Sequence, residues 1–421
     1  MTQSPFAIRD FRLYWIARLT ASVGQVAMVV VIGWQVYDIA RHSGMGLKGA
    51  AFQLGIVGVV QFVPLFALTL VTGWTADRVD RRLIACSTIA LQGLCALALG
   101  YLSWAGSITL TALFSIAAVL GVARAFAQPA IGALTPNLVP RTILPTAIAM
   151  SSIAWQTGSI LGPVLGGYLY AVAPFLPYVV AGGLLCLALG CMIMVRPLIR
   201  SPIEGSQHPW AQMIEGLKYV RRNRLVLGAI SLDLFAVLLG GATAMLPVFA
   251  RDILDAGPTG LGHLRAAPAV GAAVTALWFS FQPLKRDVGV KMLAAVVVFG
   301  LATVVFGLSR SMPLSLFCLA LLGAADMLSV YVRQSLIQLH TPDAMRGRVG
   351  AVSTLFISAS NELGEAESGF LAALIGPVVA VIAGGIAAVA VTLLWARWFP
   401  ELRLARSFNP PDHNPESKTR V

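Results

Sequence analysis

Charged side chains are scarce in this sequence. Only 11% of the 421 residues are Asp, Glu, Lys or Arg, while 57% are hydrophobic, and the mean hydropathy is +0.81. A soluble domain of this length needs far more polar surface to stay in solution, so that class is excluded. Histidine is nearly missing. His42, His208, His263, His340 and His413 lie in different segments, and no two stand at ligand spacing, which argues against haem, zinc or quinone chemistry. Cysteine is also low. Cys86, Cys95, Cys186, Cys191 and Cys318 are odd in number, form no Cys-x-x-Cys and sit inside apolar runs, so they are expected to be small buried side chains. There is no Gly-x-x-x-x-Gly-Lys-Ser/Thr to cradle a phosphate, which excludes an ATP motor of that kind. Nor does a Ser/His or Asp/Asp arrangement suited to intramembrane hydrolysis stand out. No catalytic residue, cofactor or metal is therefore expected, and the chain is not expected to be an enzyme.

What is abundant is long apolar sequence. Runs of about twenty residues, rich in Ala, Leu, Val and Gly, recur along the chain, each long enough to cross roughly 30 Å of hydrocarbon as a helix. A barrel would show short alternating segments instead. Spans are expected near 12–39, 50–72, 83–103, 108–130, 145–172, 175–195, 225–250, 259–282, 290–309, 312–339, 350–374 and 376–398. The fifth and sixth are separated only by the turn around Pro174 and Pro177. The first run lacks a small-residue cleavage site and is expected to be a retained span.

The net charge of +12 could suggest nucleic acid, but the basic residues fall in alternate loops, the positive-inside bias of a membrane protein. Arg9, Arg12, Arg78, Arg81, Arg82, the 196–224 segment, Lys285, Arg286, Lys291, Arg346, Arg348, Arg397, Arg403 and Arg406 share one side. The other side carries little more than Arg41, Lys48, Arg251, Arg265 and Arg310. Both termini and the long middle segment are thus expected to be cytoplasmic, in a multi-pass protein of the cell inner (plasma) membrane.

The fold expected is an all-α membrane protein of twelve transmembrane helices in two six-helix pseudo-symmetric halves. Residues 1–195 form the first half and 225–400 the second. Between them, 196–224 is a polar linker in which Trp210, Met213, Ile214 and Leu217 make one face of an amphipathic helix, suited to the inner leaflet. Residues 401–421 are expected to be a disordered cytoplasmic tail. A repeat supports the division: at an offset of 202 residues, Gly121 falls on Gly323, Pro140 on Pro342, Ser151 on Ser353, Leu161 on Leu363, Gly162 on Gly364 and Gly167 on Gly369. Such repeats are found in secondary transporters, with a substrate site between the halves.

After the second span the chain reads Gly73-Trp-Thr-Ala-Asp77-Arg78-Val-Asp80-Arg81-Arg82. This resembles the signature loop of the major facilitator superfamily, with Asp80 where a glycine is usual. Gly73 would let helices approach, Asp77 could cap a neighbouring helix, and Arg78, Arg81 and Arg82 would hold the topology. In the fifth span, Gly158, Gly162, Pro163, Gly166 and Gly167 resemble the superfamily's antiporter motif, which implies export. Small residues every fourth position make a flat packing face, and Pro163 weakens the helical ladder. Three further stretches, Arg9–Arg12 with Trp34–Asp38, Ser231–Phe235, and Thr341–Val349 with Asn361–Glu365, are similar to the enterobactin-exporter-like branch. The resemblance implies the major facilitator fold and proton-coupled efflux, as an antiporter, of a siderophore-like or amphipathic small molecule. Import, facilitated diffusion or a sensor on the same scaffold remain alternatives.

Charges inside the spans are the functional candidates, because each costs several kcal/mol there. Arg18 and Arg124 are basic and belong to the first half, while Asp233 and Asp326 are acidic and belong to the second. Arg18 is shallow enough to reach the interface. The repeat makes Arg124 and Asp326 equivalent, so they are expected to pair, as a latch or as a permanent bond. Glu362, Glu365 and Glu367 occupy one and a half turns of the eleventh span. The first two share a face and the third points elsewhere; three acids in a dry helix suit either proton carriage or helix-to-helix hydrogen bonds. The expected partners are a small-molecule substrate, protons and the lipid bilayer, with no nucleic acid, and the chain is expected to act as a monomer.

Overall fold

The computed structural model describes residues 4–196, 209–284 and 286–408, and these are helical with no strand among them. The first half holds α1 Arg9–His42, α2 Leu47–Arg78, α3 Arg81–Trp104, α4 Leu110–Leu138, α5 Leu144–Val172 and α6 Leu176–Met194. The linker helix is α7 Pro209–Arg222. In the second half, α8 Arg224–Leu239, a 3-10 turn Ala242–Met245, α9 Leu246–Val248 and a π turn Phe249–Ile253 together make one broken span. Then follow α10 Gly257–Phe281, α11 Val288–Leu308, α12 Met312–His340, α13 Asp343–Ile375, α14 Pro377–Trp398 and the short α15 Pro400–Arg403.

These make twelve spans. Ten are long and apolar enough to cross a bilayer on those criteria alone. The remaining two, α5 and α13, have the length, at 29 and 33 residues, but carry polar side chains that dilute their hydropathy. Leu94, Leu97 and Tyr101 form an outward stripe on α3, all at least half exposed, the reverse of a soluble helix and the pattern expected where lipid is the solvent.

Local chemistry sets the helix ends. Thr109 caps α4 by accepting from the Ala112 N–H, and Asn223 caps α8 by accepting from the Val226 N–H. Proline opens α6, α12 and α14, where a missing N–H costs nothing. The turn between α13 and α14 is made by Gly376 at φ +97°, a conformation other residues adopt with strain. The seventh span, expected to be continuous, breaks at Gly240 and Gly241. There the chain presses against α13: a Cβ on Gly241 would lie 2.8 Å from the Gly364 carbonyl oxygen.

The sequence repeat is also a packing repeat. Gly121 of α4 lies against Gln61 of α2, and its counterpart Gly323 of α12 lies against Pro268 of α10. Gly162 of α5 packs on Val23 and Ala27 of α1, and Gly364 of α13 packs on Val237 and Leu238 of α8. Gly167 and Gly369 both cross to the other half, to Pro258 and Gly262 of α10 and to Gly55 of α2 respectively. The seam between halves is therefore built from α5 on α10 and α13 on α2.

Three expectations need correction. The linker helix docks on protein through Val220, which joins Val226, Ile230, Val349 and Val352 in one buried cluster with Met213 against it. Met213 thus packs inward, and Ile214 and Leu217 alone of the described expected face stay exposed. Trp210 lies outside the described side chains. The tail is ordered as far as Phe408: Leu402 is fully buried, and the Asp287 and Gly289 N–H groups bond to the carbonyls of Arg406 and Ala405; residues 409–421 lie outside the described residues. Among the cysteines, Cys186 is exposed on the outside of α6, while Cys95, Cys191 and Cys318 are buried and Cys86 is partly so.

Candidate functional site

The face bearing α7 and α15 is here the terminus face, and the opposite one the far face. A cavity of about 840 Å³ runs from the terminus-face half of the seam to its middle. Its walls come from both halves, and its lining reaches Met192 at the end of α6 and Tyr14 near the start of α1. On the far face the halves are shut. Arg251 of the π turn bonds to Asp38 of α1 at 2.5 Å, and Arg41 of α1 bonds back to Asp252 at 3.1 Å. Tyr37 adds a 2.6 Å hydrogen bond to Asp252, and Lys48 donates to the Leu374 carbonyl at 2.7 Å. The backbones of α2 and α13 also touch there, with a Cβ on Gly58 falling 2.7 Å from the Ala366 nitrogen.

Six charged side chains line the cavity: Arg18, Arg124, Arg265, Asp326, Glu362 and Glu365. Arg124 does not pair with Asp326. Its Nη2 reaches Glu362 across the seam at 2.8 Å, and its Nη1 donates to Gln61 Oε1 at 3.0 Å. The helix order explains this. α4 packs on α2 and α2 on α13, so Arg124 faces α13, whereas α12 packs on α10 and carries Asp326 to the other flank. Asp326 makes no hydrogen bond or ion pair among the described residues. Glu365 is held by Arg265 at 3.1 Å, and Arg265 also donates to the Thr243 carbonyl. Arg265 was expected on the far side; it stands two turns inside α10 and belongs to the cavity. Glu362 Oε2 is buried without a hydrogen-bond partner among the described residues. Glu367 is not among the residues lining the cavity, and among the described residues its side chain accepts a hydrogen bond from Ser368 Oγ at 3.5 Å.

Arg18 does not reach out to the interface. Its Nε donates to the Ser151 carbonyl at 3.0 Å and its Nη1 to Tyr14 Oη at 3.2 Å. Asp233 is away from the cavity, in a buried ion pair with Arg333 of α12; the two side chains are 6% and 2% exposed. Arg333 went unnoticed in the sequence because it lies near the charged end of its span.

In the signature loop, Asp80 caps α3 by accepting from the Arg82 N–H at 2.9 Å, which accounts for Asp where glycine is usual. Arg82 bonds to the Ile193 and Met192 carbonyls at the end of α6, and Arg81 occupies the first turn of α3. Gly73, Asp77 and Arg78 are in the last turns of α2, but their side chains lie outside the described residues. The antiporter-motif glycines form a groove for α1: a Cβ on Gly162 or Gly166 would come within 2.9 Å or 3.1 Å of a backbone oxygen there, and Gly158 sits on Ser22. The Pro163 carbonyl meets Gly262 across the seam.

Two pseudo-symmetric six-helix halves, shut on one face around a charged central cavity, define a membrane transporter of the major facilitator fold. The chain belongs to the transmembrane secretion effector family of that superfamily, which it matches over residues 1–418; it is a transporter and not an enzyme. It is 29% identical over 416 residues to the enterobactin exporter EntS of Citrobacter koseri, covering 96% of this chain and 95% of that one. It is 28% identical over 410 residues to EntS of Escherichia coli O127:H6, covering 95% and 94%. Among solved structures, a POT family transporter in complex with 5-aminolevulinic acid superposes with a TM-score of 0.73 at 14% identity, covering 94% of this chain and 97% of that one. A bacterial homologue of the human lysosomal transporter Spinster, inward-facing and unoccupied, gives 0.72 at 14% identity, covering 94% and 98%.

Proposed function

We propose that this chain is a proton-coupled exporter in the cell inner membrane that loads a siderophore-like, amphipathic small molecule from the cytoplasm. The positive-inside distribution makes the terminus face cytoplasmic, so the cavity opens toward the cytoplasm and the far face is its outer gate. Arg124 with Glu362 carries this reading. A carboxylate bonded across the seam inside the cavity ties the closeness of the halves to its own charge. Protonating Glu362 weakens that bond and frees the halves to rock, and deprotonation restores it. Glu365 with Arg265 gives a second carboxylate on α13, and Asp326 of α12 gives a third, without a partner among the described residues. The relatives named as enterobactin exporters support the substrate class and the direction.

The reading is tested with the monomeric protein reconstituted in liposomes under an imposed pH gradient. Enterobactin or another siderophore should move against its gradient while protons move the opposite way, and a protonophore should stop it. Transport that ignores the protonophore would overturn the coupling. Impermeant thiol labelling on a Cys-free background checks orientation: a cysteine at position 80 should be shielded from outside reagent in intact cells.

A further inference from the structure

The six charges of the cavity do not cancel in place. Glu362 takes Arg124, and Glu365 takes Arg265, which leaves one cation and one anion without an ionic partner among the described residues. The cation is Arg18 on α1, and the anion is Asp326 on α12. Arg18 is nonetheless built in. Its two acceptors are neutral, the Ser151 carbonyl and the Tyr14 hydroxyl, and Tyr14 is in turn fixed by Ser151 Oγ, Thr135 and the Ile131 carbonyl. A guanidinium has five N–H donors, so Arg18 is held in one place with donors to spare.

Trp155 stands one turn from Ser151 on α5, hence on the same face of that helix. It lines the same cavity and is 42% exposed. Its indole N–H has no partner among the described residues. A tryptophan that faces a water-accessible cavity forgoes the burial that its size favours, and Arg18, bonded one turn back on α5 at the Ser151 carbonyl, lines the same cavity as a cation without a counter-ion among the described residues. Together they offer a ring face for stacking and charged N–H groups for an oxygen. Asp326, on an opposite wall, bars a second negative charge at the far end of the same molecule and accepts a hydrogen bond from it.

We infer that Arg18 and Trp155 form the loading subsite of the cavity, and that it takes the anionic oxygen and the ring of an aryl acid: an aromatic carboxylate or phenolate whose other end is neutral or donates hydrogen bonds. Roughly 14 Å into α1 from its start, Arg18 meets such a molecule on its way in from the terminus face. The inference rests on the cavity being the substrate site; it does not depend on proton coupling.

The test is direct binding to the full-length protein in nanodiscs, by calorimetry, with three small probes. Salicylate has the ring and the anion, cyclohexanecarboxylate has the anion alone, and benzylamine has the ring with a cation. Salicylate should bind at least tenfold more tightly than either of the others, and this comparison needs no variant. Arg18→Gln should weaken salicylate tenfold or more, Arg18→Lys less, and Trp155→Leu should weaken salicylate while leaving cyclohexanecarboxylate unchanged. Retained salicylate affinity in Arg18→Gln, or benzylamine binding as well as salicylate, would overturn the subsite. Proton-driven export of organic cations with normal rates in Arg18→Gln would leave the export reading intact and sink this one. Salicylate binding with no proton-linked transport of any substrate would do the reverse.

Discussion

Arg251 of the second half holds Asp38 of the first at 2.5 Å, and one residue further on the polarity is reversed, with Asp252 holding Arg41. Two antiparallel ion pairs across one seam define a register: sliding α1 against the π turn would bring like charges together. Because the four side chains are each less than a third exposed, the pairs are screened less than surface bridges.

Loss of either pair should open the far face. Asp38→Asn or Arg41→Gln should each cost the closed state about 1–2 kcal/mol, a roughly five- to thirtyfold shift in population. Accessibility to impermeant outside thiol reagent of a cysteine replacing Val30, which lines the cavity two turns beneath Asp38 on α1, should rise in both variants. The exchange Asp38→Arg with Arg251→Asp should restore part of the protection; unchanged accessibility in both single variants would remove the gate role.

The bond between Arg124 and Glu362 should behave as a coupled pair. Arg124→Ala and Glu362→Ala should each slow net transport about tenfold or more, and a double-mutant cycle on the residual rates should give a coupling of about 1–3 kcal/mol. The same cycle between Arg124 and Asp326 should give a value near zero, since they do not touch.

The three acids of α13 should separate by position. Glu362→Gln and Glu365→Gln, which lose ionic partners inside the cavity, should suppress substrate-induced proton release in detergent; Glu367→Gln, off the cavity, should not. Equal release from all three would exclude them as carriers.

Asp233 and Arg333 should matter for stability rather than transport steps. Arg333→Met leaves a carboxylate buried alone, at a cost of about 3–5 kcal/mol, visible as a lower unfolding temperature in detergent. Replacing both, Asp233→Leu with Arg333→Met, should recover most of the loss.

Asp77 should govern the rate of switching. Asp77→Asn is expected to slow transport while substrate affinity stays within about threefold, under about 0.7 kcal/mol. Weakened binding at a normal rate would place it in the substrate path instead.

The halves, the spans and the repeat were legible in the sequence because each is written in composition: apolar length, alternating basic loops, and Gly or Pro at a fixed offset. The cavity acids on α13 were legible too, since a carboxylate within a span is conspicuous. Partners were not. The repeat pointed Arg124 at Asp326 because equivalence under a pseudo-twofold looks like proximity, but equivalent residues sit on opposite flanks, and the true neighbour is set by α2 lying between α4 and α13. Arg265 and Arg333 were missed for a related reason. Each stands within two or three turns of a helix end, where a basic residue reads as an anchor, and only packing shows that it turns inward. The break at Gly240 and Gly241 was hidden because two glycines in an apolar run do not by themselves end a helix.

The modest hydropathy of α5 and α13 reaches back to synthesis. These two helices make the seam, and the polarity that lets them do so weakens the case for either to enter lipid alone. The nascent chain delivers α5 long before α10, its partner across the seam, exists. Until then α5 must lean on α1, through the groove of Gly158, Gly162 and Gly166. The same glycines that shape the mature bundle thus serve as an early berth during insertion, and widening any of them would be felt first at the ribosome-bound stage, as a span left out of the membrane.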